Sequence, residues 1–203
     1  ILWGGYLKRN KKNKKQAIIL LHEIYGVNDF IKKQCQKYQK MGFDIFCPNL
    51  LEHTPFLYEE SDEAYNYFIQ NVGFDKYTEI NNLANSLKKQ YNKIFLLGFS
   101  AGATIAWRCG ENSLYSGIIA CYGSRIRDYT DLNPVCPTLL LFAKEDSFDV
   151  STTITELQYK KNVSITIFDA SHGFLDPYSK YYNDYERKKA EAAITQFINQ
   201  YIK

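Results

Sequence analysis

Gly98-Phe99-Ser100-Ala101-Gly102 sets a hydroxyl between two glycines. The apolar run Ile94-Phe95-Leu96-Leu97 leads into it, and the helix-forming run Ala103-Thr104-Ile105-Ala106-Trp107 leads out. A strand that turns sharply on a serine into a helix has the form of a nucleophile elbow. The glycines have a mechanical reason. The chain closely approaches itself at such a turn, so the flanking positions must be small. The turn lifts Ser100 clear of the sheet. It also aims the first N–H groups of the new helix at any oxyanion that forms beside it.

A serine hydroxyl is a poor nucleophile at neutral pH. It needs a base within hydrogen-bond reach, and the base needs an orienting partner. The chain offers His22, His53 and His172. His172 follows the last strand-like run, inside Asp169-Ala170-Ser171-His172-Gly173-Phe174, and is the expected base. His22 also ends a strand but precedes the serine, and His53 sits in an irregular loop. Asp146, at the end of Leu139-Leu140-Leu141-Phe142-Ala143-Lys144-Glu145-Asp146, is the expected acid. Glu145 and Asp149 are its near competitors, while Asp169 is too close to His172 along the chain to aim at it. The order serine, acid, histidine matches the α/β-hydrolase arrangement. The backbone N–H groups of Ile24 and Ala101 fall where two oxyanion donors are expected. Glu23 directly follows an apolar strand, and on spacing alone a surface carboxylate and a site residue are equally good readings.

The elements that must hold these residues alternate between strand and helix. Leu2 to Leu7 and Ala17 to His22 read as strands. Asn28 caps a helix to about Met41, and Phe43 to Cys47 is the next strand. Residues 49–75 are less regular, with a helix start at Ser61-Asp62-Glu63. A helix covers about Asp75 to Tyr91, and Lys93 to Leu97 is the elbow strand. Gly117 to Cys121, Thr138 to Ala143 and Val163 to Phe168 complete the strands. Ser151 caps a helix, and a long amphipathic helix runs from about Asp184 to Ile202. Strands alternating with helices predict an α/β fold: a mostly parallel, doubly wound sheet with helices on both faces, in a single domain over 1–203. Ligands bind beyond the carboxyl ends of such strands, where Ser100 lies.

The bulk composition excludes more than it asserts. The chain has 203 residues, 45% of them hydrophobic, and a net charge of +3, too small to imply a nucleic-acid partner. The basic run from Lys8 to Lys15 reads as a solvated turn, because no aromatic residues interleave with the charges. The five cysteines, Cys35, Cys47, Cys109, Cys121 and Cys136, form no Cys-x-x-Cys pair. Reduced, mostly buried thiols and a cytoplasmic location are therefore expected. No apolar stretch is long enough for a membrane span. No ligand cluster has metal spacing, so neither metal nor organic cofactor is expected. Oligomeric state is not readable from the chain.

Six stretches together resemble the dienelactone hydrolase family of α/β-hydrolases: His22-Glu23-Ile24-Tyr25-Gly26-Val27-Asn28, Phe46-Cys47-Pro48-Asn49-Leu50, the elbow, Cys121-Tyr122-Gly123, Glu145-Asp146, and Ser171-His172-Gly173-Phe174. The resemblance covers nearly the whole length. It implies that Glu23 lies next to the nucleophile and takes part in its activation. Two departures stand out. Dienelactone hydrolases proper carry a cysteine nucleophile, whereas this chain has Ser100. With an alcohol, Glu23 is expected to tune the local field or position a water while His172 moves the proton. Family members that bind the dienelactone carboxylate use arginines, one shortly after the histidine. Here Gly173-Phe174-Leu175-Asp176-Pro177 carries an acid instead.

The expectation is a serine hydrolase that cleaves a small carboxylic ester or lactone through an acyl-enzyme. Tyr122, Phe174 and Arg125 are the candidate substrate-binding residues, and Phe56, Tyr58, Phe148 and Tyr178 are further aromatics able to wall a pocket. A thioesterase or peptidase on the same machinery, and a non-catalytic binder descended from a hydrolase, are the alternatives.

Overall fold

The computed structural model describes residues 16–202. The expected strand from Leu2 to Leu7 and the basic run lie outside the described residues. Six strands pair in parallel: β1 (Gln16–Leu21), β2 (Asp44–Phe46), β3 (Lys93–Phe99), β4 (Gly117–Cys121), β5 (Thr138–Glu145) and β6 (Val163–Ser171). Their order across the sheet is β2-β1-β3-β4-β5-β6. The winding direction reverses between β1 and β3. The crevice beyond the ends of those two strands is therefore the switch point at which such sheets bind ligands.

Side-chain alternation along each strand sends apolar residues to both faces. Ile18, Leu20, Phe95, Leu97 and Ile119 pack with α1 (Asp29–Lys40) and α6 (Asp184–Tyr201). Ile19, Leu21, Ile94, Leu96 and Ile118 pack with α2 (Ser61–Asn71), α3 (Tyr77–Leu87) and α4 (Ala101–Arg108). Trp107, Leu140 and Phe142 extend that second layer to α5 (Val150–Leu157). Cover on both faces is why the central strands read as unbroken apolar runs. No helix among the described residues is long and apolar enough to cross a membrane. The five cysteines are free thiols.

Several strand ends shift by one or two residues, and three differences from expectation are larger or change a cap. The helix expected from about Asp75 to Tyr91 is a short 3₁₀ turn, Phe74–Lys76, followed by α3, which stops at Leu87. The cap of α5 is Asp149, not Ser151: its carboxylate accepts from the N–H groups of Ser151 and Thr152. The last strand continues three residues past Phe168. Its extension pairs across to Glu145 through an irregularity between Ala143 and Glu145.

Candidate active site

The elbow is built as its spacing requires. Ser100 sits at φ 50°, ψ −113°, a left-handed backbone that a side chain rarely adopts. A Cβ at Gly98 would overlap the backbone of Gly102 and Ala103. A Cβ at Gly102 would lie 2.5 Å from the carbonyl oxygen of His22. The second glycine therefore lets α4 start directly against the end of β1, which brings Ile24 to the serine's side of the crevice.

The sheet then delivers the histidine and the acid together. The His172 N–H donates to the Glu145 carbonyl at 3.0 Å, so the end of β6 is clamped to the end of β5. His172 Nε2 lies 2.9 Å from Ser100 Oγ, and His172 Nδ1 lies 2.7 Å from Asp146 Oδ2. The Asp146 side chain is 1% exposed, and its other oxygen accepts from the Ser147 N–H at 2.6 Å. Burial works against a charged His172, but the bond to Asp146, that residue's charge and the charge of Glu23 outweigh it and raise its pKa. Asp149, the competing acid, is occupied as the α5 cap, and Asp169 pairs with Lys144 at the surface. Glu145 lines the cleft but is exposed, without the imidazole contact that Asp146 makes.

A cleft of about 560 Å³ opens over this array, within the size range of small-molecule sites. Ile24 and Ala101 both line it beside Ser100 and His172. Ala101 opens α4, where backbone N–H groups have no acceptor within the helix. Two expected substrate contacts fall elsewhere. Tyr122 and Phe174 are fully buried, behind the imidazole rather than in front of it. The Tyr122 ring meets His172 edge-on at 5.0 Å between centroids, and Phe174 backs Tyr122 at 5.8 Å. Aromatic residues right after a strand end are drawn into the core when the chain folds back over them, as it does here. The cleft's aromatic walls are instead Tyr65 from α2, Phe74 and Tyr181, none of which strand-end logic selects. Phe56, Tyr58, Phe148 and Tyr178 do not line it. Arg125 does, with its guanidinium held 2.7 Å from Asp128.

His22, the other strand-end histidine, is a structural bolt. Its Nδ1 donates to the Glu23 carbonyl at 2.6 Å, and its Nε2 accepts from the Leu50 N–H at 2.9 Å. Burial lowers its pKa to about 4, so the ring stays neutral. It ties β1 to the segment after β2 and has no part in the cleft.

The dienelactone hydrolase family model matches residues 3–202. The chain belongs to the dienelactone hydrolase family. That membership makes it a hydrolase of ester bonds acting on a small-molecule substrate. It is 41% identical over 174 residues to the uncharacterized protein YczH of Bacillus subtilis, covering 83% of this chain and 85% of that one. It is 22% identical over 191 residues to carboxymethylenebutenolidase 1 of Cupriavidus pinatubonensis, covering 85% and 80%. Among solved structures, a Klebsiella pneumoniae protein assigned as a dienelactone hydrolase superposes with a TM-score of 0.79 at 19% identity, covering 95% of this chain and 91% of that one.

Within this dienelactone hydrolase scaffold, Glu23 is buried, with 5% of its surface exposed. Burial, then the negative charge of Asp176, push its carboxyl up to about 7. His172 and the Tyr122 hydroxyl pull the other way. That hydroxyl is turned to Glu23 without a well-formed hydrogen bond among the described residues. Asp176, the acid in the stretch after His172, is 1% exposed. One of its oxygens accepts from the Tyr58 hydroxyl and the other from the Tyr178 N–H. Tyr58 accepts in turn from Asn28 Nδ2 at 3.0 Å. Sequence reasoning saw Asp176 only as a missing arginine. That its charge acts on Glu23 could not be read from the sequence, because no local pattern joins residues that far apart.

Proposed function

We propose that this protein is a serine hydrolase that opens small, uncharged carboxylic esters or lactones through an acyl-enzyme. The observation that carries the reading is the unbroken contact from Ser100 Oγ through the His172 ring to Asp146 at the floor of the cleft. In this reading Ser100 attacks the carbonyl while His172 Nε2 takes its proton. Asp146 fixes the Nδ1–H tautomer and stabilises the imidazolium that forms. The amides of Ile24 and Ala101 hold the oxyanion. His172 then returns the proton to the leaving alcohol, and water releases the acyl group by the same steps in reverse.

The lining supports an uncharged substrate. Arg125 is neutralised by Asp128, and Glu145 and Asp146 border the same space. The Cupriavidus relative is named a carboxymethylenebutenolidase, which puts lactones among the first compounds to try.

A fluorophosphonate probe should label Ser100 stoichiometrically. Ser100→Ala should lose labelling and lower kcat for 4-nitrophenyl acetate by about 10⁴-fold or more, with the fold intact by circular dichroism. Turnover retained in that variant would remove Ser100 from the mechanism.

A further inference from the structure

We infer that Thr104 is a specificity residue whose hydroxyl pairs with a hydroxyl on the acyl part of the substrate, so that the preferred esters are those of short hydroxy acids. The inference rests on the acyl-enzyme reading and deepens it by naming the substrate class.

Thr104 lies in α4, is fully buried, and lines the cleft with Ser100 and Ala101. Its hydroxyl has no hydrogen-bond partner among the described residues. A helical threonine ordinarily bonds its Oγ1 to a carbonyl three or four residues back. The other threonines of the described helices all find a partner. Thr155 Oγ1 donates to the Ser151 carbonyl at 2.9 Å, Thr195 Oγ1 to the Glu191 carbonyl at 2.8 Å, and Thr153 Oγ1 to the Asp149 carbonyl at 3.4 Å. Thr78 donates to the Asp75 carbonyl, and Thr152 to the Asp149 carboxylate. For Thr104 the carbonyl four residues back is that of Ser100, which already accepts from the N–H groups of Ala103 and Thr104. The elbow thereby uses up the acceptor that this threonine would take. A buried hydroxyl without a partner is a cost to the fold, and valine would fill the same space without it.

Position says which part of a substrate meets this hydroxyl. His172 returns the proton to the leaving oxygen, so the leaving group sits toward the ends of β5 and β6. The acyl group then extends along α4, between the 3₁₀ turns Phe74–Lys76 and Ser124–Tyr129, both of which pack on that helix. Phe74 and Ser124 line the cleft there with Thr104. Residues three apart share a helix face at about 5–6 Å between Cβ atoms, so Thr104 stands one turn beyond Ala101, whose amide is proposed to hold the oxyanion. A substituent on the α or β carbon of the acyl group falls within that reach. The matching group is a hydroxyl, which donates and accepts as Thr104 does. A carboxylate would need a free cation, and Arg125 on this side is held by Asp128.

The test compares ethyl butanoate with ethyl 2-hydroxybutanoate and ethyl 3-hydroxybutanoate in a pH-stat. A site that bonds a substrate hydroxyl rejects the analogue lacking it, because its own polar group is then left unpaired. Wild-type kcat/KM should favour at least one hydroxy ester by about tenfold or more. In Thr104→Val that preference should fall by about tenfold, while Thr104→Ser should keep it. The intrinsic reactivity of the esters cancels when the variants are compared. Because the hydroxyl bonds nothing within the protein, Thr104→Val should also melt at or above the wild-type Tm. A preference that is equal in wild type and Thr104→Val overturns the inference. A lowered Tm or a failure to fold in Thr104→Val overturns it too, since the hydroxyl would then be bonded within the fold. So does a wild type that favours neither hydroxy ester. Fluorophosphonate labelling of Ser100 needs no acyl hydroxyl and tests the acyl-enzyme reading by itself. A wild type that labels but ignores the hydroxyl therefore removes this inference alone.

Discussion

Ser100 holds a backbone conformation that its own side chain disfavours, and the reaction is the proposed reason it stays there. The strain at φ 50° is relieved by glycine and hardly changed by alanine. Ser100→Gly should therefore raise the unfolding free energy by about 1 kcal/mol while abolishing ester turnover. Urea denaturation of the two variants side by side checks this, and equal stability of Ser100→Gly and Ser100→Ala would count against stored strain. Single residues were legible in the sequence where their evidence is local. Ser100 announces itself through Gly98 and Gly102, and His172 and Asp146 through the strand that each one ends. Tyr122 and Phe174 were misplaced for a related reason. A strand end locates the Cα, but the direction of the side chain depends on what folds back over it. Tyr122 has a positive φ of 43°, which turns the chain and sends the ring beneath His172.

The elements align these side chains by pairing. β6 runs past its apolar stretch because Ser171 pairs with Glu145, and that extra length carries His172 to Asp146. Its last residues, Asp169, Ala170 and Ser171, have no apolar alternation, so the sequence ends the strand at Phe168 although partner hydrogen bonds continue it. The cap of α5 was misread because Asp149 and Ser151 are both good capping residues two positions apart. The cap of α1 was read correctly, and it has a second role. Asn28 Oδ1 accepts from the Ile31 N–H at 3.1 Å, and its Nδ2 donates to Tyr58. Asn28→Ala should cost about 1–2 kcal/mol in urea unfolding, and Asn28→Ser should recover the capping share of that loss. The contact with Tyr58 is lost in both, so a residual deficit in Asn28→Ser measures the bolt between α1 and the segment after β2.

Across the molecule, the alternation of apolar strands and amphipathic helices was enough to foretell a parallel sheet covered on both faces, since strand burial and helix amphipathicity are patterns of sequence. The sequence could not show that this frame buries two titratable groups in succession at the end of β1. His22 is held down to about 4 and Glu23 up to about 7, both chiefly by loss of water. Their effects on stability have opposite signs. The stability that comes with a neutral Glu23 is fully present below its ordinary value of 4.5 and is lost as pH rises through 7. The stability that comes with a neutral His22 is fully present above 6.5 and is lost as pH falls through 4. Between those limits one loss replaces the other, so the pair alone leaves the wild-type stability nearly level. Glu23→Gln removes one side of the balance. It should match wild type near pH 4 and exceed it by about 3 kcal/mol at pH 8, because a buried amide has no charge to desolvate. Guanidinium midpoints measured at both pH values decide the matter. An advantage that does not grow with pH would mean that Glu23 carries its charge in the folded protein, with a cost already met by its neighbours.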